Sequence, residues 1–600
     1  MKLRKRLLAV LAAATLTVTG FSTSIATIQE NITAAAVDDC NDDWLHAEGS
    51  RLYDSEGNEV WFTGANWFGF NCSENCVHYL WSADIDDLLE EISDRGINII
   101  RFPISSELLI SWMNGTPNEV SSVSANNDEY YPINVDFCNE DSSIKNSMEI
   151  FDIIIQKCKT YGLKAFVDVH SPDANNSGHN YNLWYGKETT DGIMVTTELW
   201  MESLTWLAEK YANDDTILGY DLKNEPHGKG QEGDEAAKWD GSTDENNWAY
   251  AATQCANSIL AVNPNALIFV EGVEQLLKSD DYYWGQPDSL TDSPYIGAWW
   301  GGNLRGVWDY PVVPDSGTSQ IVYSPHDYGP SVYDQTWFDK DFTTETLLDD
   351  YWYDTWAYIN VEDIAPLLIG EWGGYMDGAE NEKWMELLRD YMIENHISHT
   401  FWCLNTNSGD TGGLWADFAY SPDTGTTVTW EEDKYALFEP SLWQTLETGL
   451  YIGLDHETSL GINGTGLSLN EFYASYAYTE GSNLDGGTIL SSDGTTATTT
   501  TTSSDTTTTS TTTTTTATTT ELTTETSDMT IDFGDYEFRD INRDDVVNLA
   551  DLVLLMRYLI RDISGGDYDW ENGDVDGNGT LNGFDLALYR QYLLQYTTET

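Results

Sequence analysis

Positive charge is what this sequence has least of: 27 Lys and Arg stand against 100 Asp and Glu in 600 residues, a formal net charge of −73. Coulomb repulsion then opposes approach to a phosphate backbone or an anionic lipid surface, so no nucleic acid and no membrane is expected as a partner. Cysteine is sparse too. Seven residues (Cys40, Cys72, Cys76, Cys138, Cys158, Cys255 and Cys403) cannot build a disulfide scaffold, and the odd count leaves at least one thiol free. Cys72 and Cys76 are the expected local pair, while no histidine stands at zinc-like spacing, which argues against a zinc site. A Gly-rich phosphate loop of the dinucleotide-binding kind is missing. Beyond the N-terminus, no apolar run approaches the roughly 20 residues that a membrane span needs.

Aromatic residues, by contrast, make up 13 % of the chain and include 24 Trp. A disordered acidic chain lacks such apolar area, so a large part of this one folds. Residues 1–36 read as a secretory leader: Lys2, Arg4, Lys5 and Arg6 precede an apolar run, and the small triplet Ala34-Ala35-Ala36 follows. The chain is therefore expected to be secreted and extracellular. From 491 to 528 it is nearly all Thr with Ser, Ala and a few acids, and no Lys or Arg occurs between Lys434 and Arg539. A stretch with no apolar periodicity forms no core, so it is expected to be an extended linker between a large body at 41–452 and a small one at 529–597. Residues 453–490 carry Leu, Tyr and Phe that could pack on the large body or stay loose.

In the large body, eight short β-branched or aromatic runs recur, at 60–65, 97–102, 164–170, 218–226, 267–272, 321–326, 366–372 and 399–405. Between them lie stretches with apolar residues at i, i+3 and i+4, such as 84–95, 148–161, 197–211 and 382–395. Strand–helix alternation implies a parallel sheet, and eight units imply an α/β fold, a (β/α)8 barrel with enlarged loops. Reactive groups of such a barrel come from the C-terminal ends of its strands. Several runs end in polar or charged groups: Arg101, His170, Asn224-Glu225, His326 with Tyr328 beyond it, and Glu371; Trp402 lies in the eighth.

Two of these are glutamates. A glycosidic bond between neutral sugars needs a proton on the leaving oxygen and a carboxylate to meet the positive charge developing at the anomeric carbon. Glu225 and Glu371, from the fourth and seventh runs, supply that pair across a barrel mouth, and a gap of roughly 5–5.5 Å would make the reaction a retaining double displacement. Arg101 would hold Glu371 ionised, Tyr328 would orient it with a hydrogen bond, and Asn224 suits a substrate hydroxyl. No cofactor is needed for this chemistry.

Beyond the NEP triplet, the segments GANWFGF, FVDVHSPD, NLWYG, VNPNALIFVEG, WWGGNLRG, YSPHDYGPSVY and NTNSGDTGG, within about 45–445, make the barrel resemble a family 5 glycoside hydrolase of the secreted bacterial endoglucanase type. That resemblance implies that Glu225 is the acid/base and Glu371 the nucleophile. It further places Arg101, His170, Asn224, His326, Tyr328 and Trp402 in the active centre, with Trp299 or Trp300 of AWWGG as an aromatic platform. The implied activity is endo-β-1,4-glucanase action on cellulose or related β-glucans. Mannan, xylan or mixed-linkage glucan as substrate is an alternative, as is an inactive carbohydrate-binding barrel. Because pyranose faces pack on Trp, a cleft lined by Trp67, Trp81, Trp184, Trp299, Trp300 and Trp402 is expected to hold the glycan.

The small body contains a repeat, DINRDDVVNLADLVLLMRYL from Asp540 and DVDGNGTLNGFDLALYRQYL from Asp574. Oxygen ligands stand at loop positions 1, 3, 5, 9 and 12, namely Asp540, Asn542, Asp544, Asn548 and Asp551, then Asp574, Asp576, Asn578, Asn582 and Asp585. That spacing wraps Ca2+, one ion per loop, with a backbone carbonyl at position 7. Paired half-EF-hand loops, each followed by one helix, behind a Thr-rich linker resemble a dockerin, a small all-α calcium-binding module. The resemblance implies a scaffold cohesin domain as partner, hence a cellulosome-associated enzyme.

Overall fold

The computed structural model describes residues 42–477, apart from 121, 175–180, 280, 290–291, 377 and 446–447, together with 488–489, 541, 570–573 and 575. The expected leader, the Thr-rich linker, Cys40 and all ten expected calcium ligands lie outside the described residues. The chain divides into two units, 1–500 and 501–600. In the second, Ile541 and Val575, which hold the same place in the two repeats, are buried.

Eight parallel strands form the frame of the first unit: β1 Thr63–Asn66, β2 Ile99–Ser105, β3 Lys164–Ser171, β4 Ile217–Asp221, β5 Leu267–Val270, β6 Ile321–Tyr323, β7 Leu368–Trp372 and β8 Ser398–Phe401. They pair in the order 6-5-4-3-2-1-8-7. Isolated parallel bridges, Tyr323 with Leu367 and His326 with Glu371, join β6 to β7 and bring the sheet round on itself. All residues of β2 and β3 are buried, as expected of parallel strands covered on both faces. Each expected run contains a strand, with two informative shifts. Glu59–Val60 belongs to a separate antiparallel sheet with His46–Glu48 and Arg51–Tyr53, so β1 begins only at Thr63. β4 stops at Asp221, which leaves Asn224 and Glu225 beyond its end, in non-strand backbone.

Helices cover the outside, and their ends follow from capping. α1 (Ile85–Asp94) starts where the Asp84 side chain accepts from Asp86 N (3.0 Å), and it buries Ile85, Leu88, Leu89 and Ile92, one helical stripe. α3 (Ser147–Thr160) starts in a reciprocal box between Asn146 and Glu149. Between them lies α2 (Ser106–Met113), which follows β2 directly.

Inside the barrel floor, Ile99, Phe166, Leu218, Leu267, Phe269, Val322 and Leu368 meet, with Phe166 and Phe269 rings 4.5 Å apart. Leu454, Leu469 and Phe472 join this cluster, so the segment from 454 to 472 packs on the barrel. Beneath it Lys164, the first residue of β3, pairs with Asp43 (2.5 Å), Asp455 (3.2 Å) and Asp215 (3.4 Å). No helix among the described residues is long and apolar enough to cross a membrane.

Two expectations fail here. Cys72 and Cys76 do not pair; both are buried free thiols, as are Cys158, Cys255 and Cys403. Trp67 and Trp184 are fully buried and line no cleft. Trp67 packs on Phe102 and Trp415, and Trp184 on Trp200 and Trp248, so their area stabilises the wall.

Candidate active site

Every barrel strand delivers groups to one place at its C-terminal end. Arg101 of β2 is wholly buried among carboxylates: its guanidinium meets Asp168 of β3 (3.2 Å), Asp221 of β4 (2.9 Å), Glu271 just after β5 (3.1 Å) and Glu371 of β7 (2.7 Å). It also donates to Asn66 Oδ1 and Asn224 Oδ1 (both 2.9 Å). Burial would lower the guanidinium, but the surrounding carboxylates raise it well above its usual value. Asp168, Asp221 and Glu271 also bring oxygens within 4.8 Å of one another, the pattern of a cation site, and the cation in reach of all three is Arg101 itself.

The Glu371 carboxylate is held at both oxygens. Oε1 accepts from Arg101 Nη1 (2.7 Å) and Oε2 from the Tyr328 hydroxyl (2.6 Å). Glu225 differs. Its φ of +47° is unusual for a residue with a Cβ, and the neighbours hold it there. Its backbone N–H donates to Glu271 Oε2 (2.7 Å), and its carbonyl accepts from His227 Nδ1 (2.7 Å). Gly301, of AWWGG, lets the loop after β5 descend on this pair: a Cβ there would lie 2.3 Å from Glu271 Oε2. The Glu225 side chain is 14 % exposed and that of Glu371 5 %, so Glu225 faces the opening more.

Between the two lies His326. Its Nδ1 faces Glu225 Oε1 at 3.0 Å and Glu371 Oε2 at 3.6 Å, and its Nε2 faces Glu271 Oε1 at 3.2 Å. With carboxylates on both ring nitrogens, the imidazolium is favoured, and although burial opposes the charge, His326 is raised well above its ordinary value. One ring nitrogen of His326 and one oxygen each of Glu225 and Glu371 lie within 4.8 Å of one another. Burial raises both carboxyls. At Glu225 the hydrogen bond and charge of His326 outweigh that and bring it below its ordinary value, while at Glu371 burial prevails over His326 and Arg101.

Aromatic groups flank the pair. Trp402 stacks on His170 (5.7 Å, 11°) and on Phe68 (5.5 Å, 14°). Trp299 is buried with its ring edge-on to Tyr328 (6.0 Å, 74°), whereas Trp300 is 39 % exposed and stacks on His227 (3.9 Å, 6°). Of the AWWGG pair, only Trp300 therefore offers a surface to a ligand. Trp81 is exposed at the rim.

Thus Arg101, Asn224, Glu225, His326, Tyr328 and Glu371 form one contact network, which His170 joins through Asp168 (2.7 Å). Sequence reasoning passed over Asp168, Asp221, Glu271, Lys223, His227 and Asp327. Each stands in or beside a strand-ending run, the signal that could have found it. Lys223, brought down to about 8 by burial, donates to the His170 and Asn224 carbonyls. Asp327, raised by burial to about 8, anchors the segment between His326 and Tyr328 by accepting from Tyr351 (2.9 Å) and Trp356 (3.1 Å).

The description "Cellulase (glycosyl hydrolase family 5)" matches residues 53–408, and "Dockerin type I domain" matches 539–594. The chain is 60 % identical over 453 residues to Endoglucanase G of Acetivibrio thermocellus, covering 73 % of this chain and 78 % of that one. It is 44 % identical over 450 residues to Endoglucanase B of the same organism, covering 71 % and 77 %. Among solved structures, a hyperthermophilic endocellulase from Pyrococcus horikoshii superposes with a TM-score of 0.52 at 31 % identity, over 66 % of this chain and 98 % of that one. By the length of the match and the strand-end network it contains, the chain belongs to glycosyl hydrolase family 5, as a cellulase barrel followed by a type I dockerin domain.

Proposed function

We propose that the barrel is a retaining endo-β-1,4-glucanase acting on cellulose or related β-glucans. The observation that carries this reading is the approach of Glu225 and Glu371, one oxygen of each lying within 4.8 Å of the other, which favours the short separation of a retaining pair over the wider one of an inverting pair. Glu371, held at both oxygens, attacks the anomeric carbon, and Glu225 protonates the leaving oxygen. The C–O bond to the aglycone breaks as the Glu371–C1 bond forms. Glu225 then takes a proton from the water that releases the sugar. The His326 Nδ1–H···Oε1 hydrogen bond keeps a proton beside Glu225. A sugar covering the more open Glu225 removes its water and raises it, while Arg101 and Tyr328 stay on Glu371. Trp300 and Trp402 supply stacking faces. The names of the relatives, endoglucanases and endocellulases, support endo action.

Type I dockerin domains bind calcium. In this chain Asp540, Asn542, Asp544, Asn548 and Asp551 would hold one ion and Asp574, Asp576, Asn578, Asn582 and Asp585 a second, presenting the module to a scaffold cohesin outside the cell. Withdrawing Ca2+ should abolish cohesin binding, and binding that survives would refute this part.

Hydrolysis of defined cello-oligomers with NMR of the first-formed anomer tests the barrel reading. Release of β-anomers from internal bonds supports it. Initial α-anomers overturn retention, cleavage confined to mannan or xylan overturns the substrate, and binding without any hydrolysis overturns the enzyme.

A further inference from the structure

The loop after β1 carries a side-chain group that the chemistry above does not use. It folds back on itself: Cys72 N donates to Gly69 O (3.0 Å), Asn75 N to Cys72 O (3.1 Å) and His78 N to Phe68 O (3.2 Å). Gly69 (φ +146°) permits the closure, since a Cβ there would lie 2.3 Å from Cys76 O. The turn gathers Cys72 Sγ, a carboxylate oxygen of Glu74 and a ring nitrogen of His78 within 4.8 Å of one another. Cys72 is buried and His78 is 5 % exposed. His78 Nε2 is buried without a hydrogen-bond partner and faces Glu74 Oε2 at 3.7 Å, a costly placement for a ring nitrogen unless something else joins it.

We propose that Cys72, Glu74 and His78 bind a borderline-soft divalent cation of the zinc class. One sulfur, one imidazole nitrogen and one carboxylate oxygen are the donors such an ion takes, and three protein ligands leave the fourth tetrahedral position to water. A thiolate and a carboxylate neutralise the 2+ charge; the thiol proton leaves to solvent. A ligating histidine donates its other ring N–H to a carbonyl. His78 Nδ1 lies 3.1 Å from the Asn407 amide. Turning that amide by half a rotation presents Oδ1 to Nδ1–H, and Tyr79 OH, already 2.7 Å from Thr406 Oγ1, donates there and accepts from the amide. Glu74, with its side chain 33 % exposed, gives the ion a way in. Cys72, Glu74 and His78 lie close together in the chain at a spacing that is not the usual zinc one, and the turn brings their ligand atoms together. The ion would fasten the segment behind Trp402, since His78 packs on Trp81 (5.3 Å) and on Phe68 (5.1 Å), which stacks on Trp402 (5.5 Å).

The full-length protein, stripped of transition metal and kept saturated with Ca2+, is titrated with Co2+ as a spectroscopic probe. One equivalent should produce thiolate-to-cobalt charge-transfer absorption, displaced by Zn2+. The dockerin loops offer oxygen ligands and give no such band. Cys72→Ser and His78→Gln should each lose it and Cys158→Ser should keep it. A wild-type protein that folds and shows no band, or a band that persists in Cys72→Ser, overturns the site.

Discussion

Arg101 and Lys164 are both buried cations ringed by acids, one on β2 and the other at the start of β3. Arg101 meets Asp168, Asp221, Glu271 and Glu371; Lys164 meets Asp43, Asp215 and Asp455. The partners of Arg101 sit on or just beyond barrel strands, and one of them, Glu371, also reaches Tyr328 and His326. The partners of Lys164 come from the entering segment (Asp43), the turn before β4 (Asp215) and the segment that precedes the helix Leu469–Ser475 (Asp455). Around Lys164 the network is closed, with His456 bridging Asp43 (2.6 Å) and Asp54 (3.3 Å). The same physical device, a desolvated charge compensated by carboxylates, thus holds the proposed reacting groups at one end of the strands and joins distant chain segments at the other.

The largest test of this contrast is Glu371→Gln. Turnover of a cello-oligomer should fall by about 10⁴-fold or more, as loss of a nucleophile does elsewhere, while the thermal melt stays near wild type. Lys164→Met should do the reverse. It strands three buried carboxylates and should cost about 3–5 kcal/mol in denaturant unfolding, with kcat of the folded enzyme unchanged. A parallel loss of kcat would break the comparison. Smaller is Tyr328→Phe, which removes one hydrogen bond to a charged oxygen; about 1.5–3 kcal/mol corresponds to about 10–100-fold in kcat, with oligomer binding retained.

The last effect is a slope with pH. Burial lowers His456, but Asp43 and Asp54 raise it from its ordinary 6.5 to about 10. A group that binds its proton more tightly when folded stabilises fully below its unfolded pKa, so this contribution is present below about 6.5 and lost as pH rises through about 10. Unfolding free energies measured from pH 6 to 10 should decline in wild type and flatten in His456→Asn.

The runs in the sequence located all eight strands because buried parallel strands are continuous apolar stretches, and most of the residues at their ends meet in the network around Arg101 and His326. Asp168 escaped notice because it lies inside an apolar run and meets Arg101 within the barrel, whereas Glu271 ends its run as Glu371 does and carried the strand-end signal that was passed over. Trp67 and Trp184 could not be told from cleft residues, since a ring that packs on Trp415 or Trp200 and one that would pack on a sugar are the same residue type. Likewise Cys72 and Cys76 are near in sequence, but the turn aims Cys72 at Glu74 and His78 instead.

The barrel was legible in the chain alone, alongside two glutamates at run ends, a Thr-rich break and a repeat of oxygen-bearing side chains, because periodicity, composition and spacing are local properties of the chain. Which cation holds which acid, how Leu454, Leu469 and Phe472 pack on the floor, and how closely Glu225 approaches Glu371 became visible only in three dimensions. Those are distances between groups from different strands, set by closure of the sheet, and no local pattern encodes them.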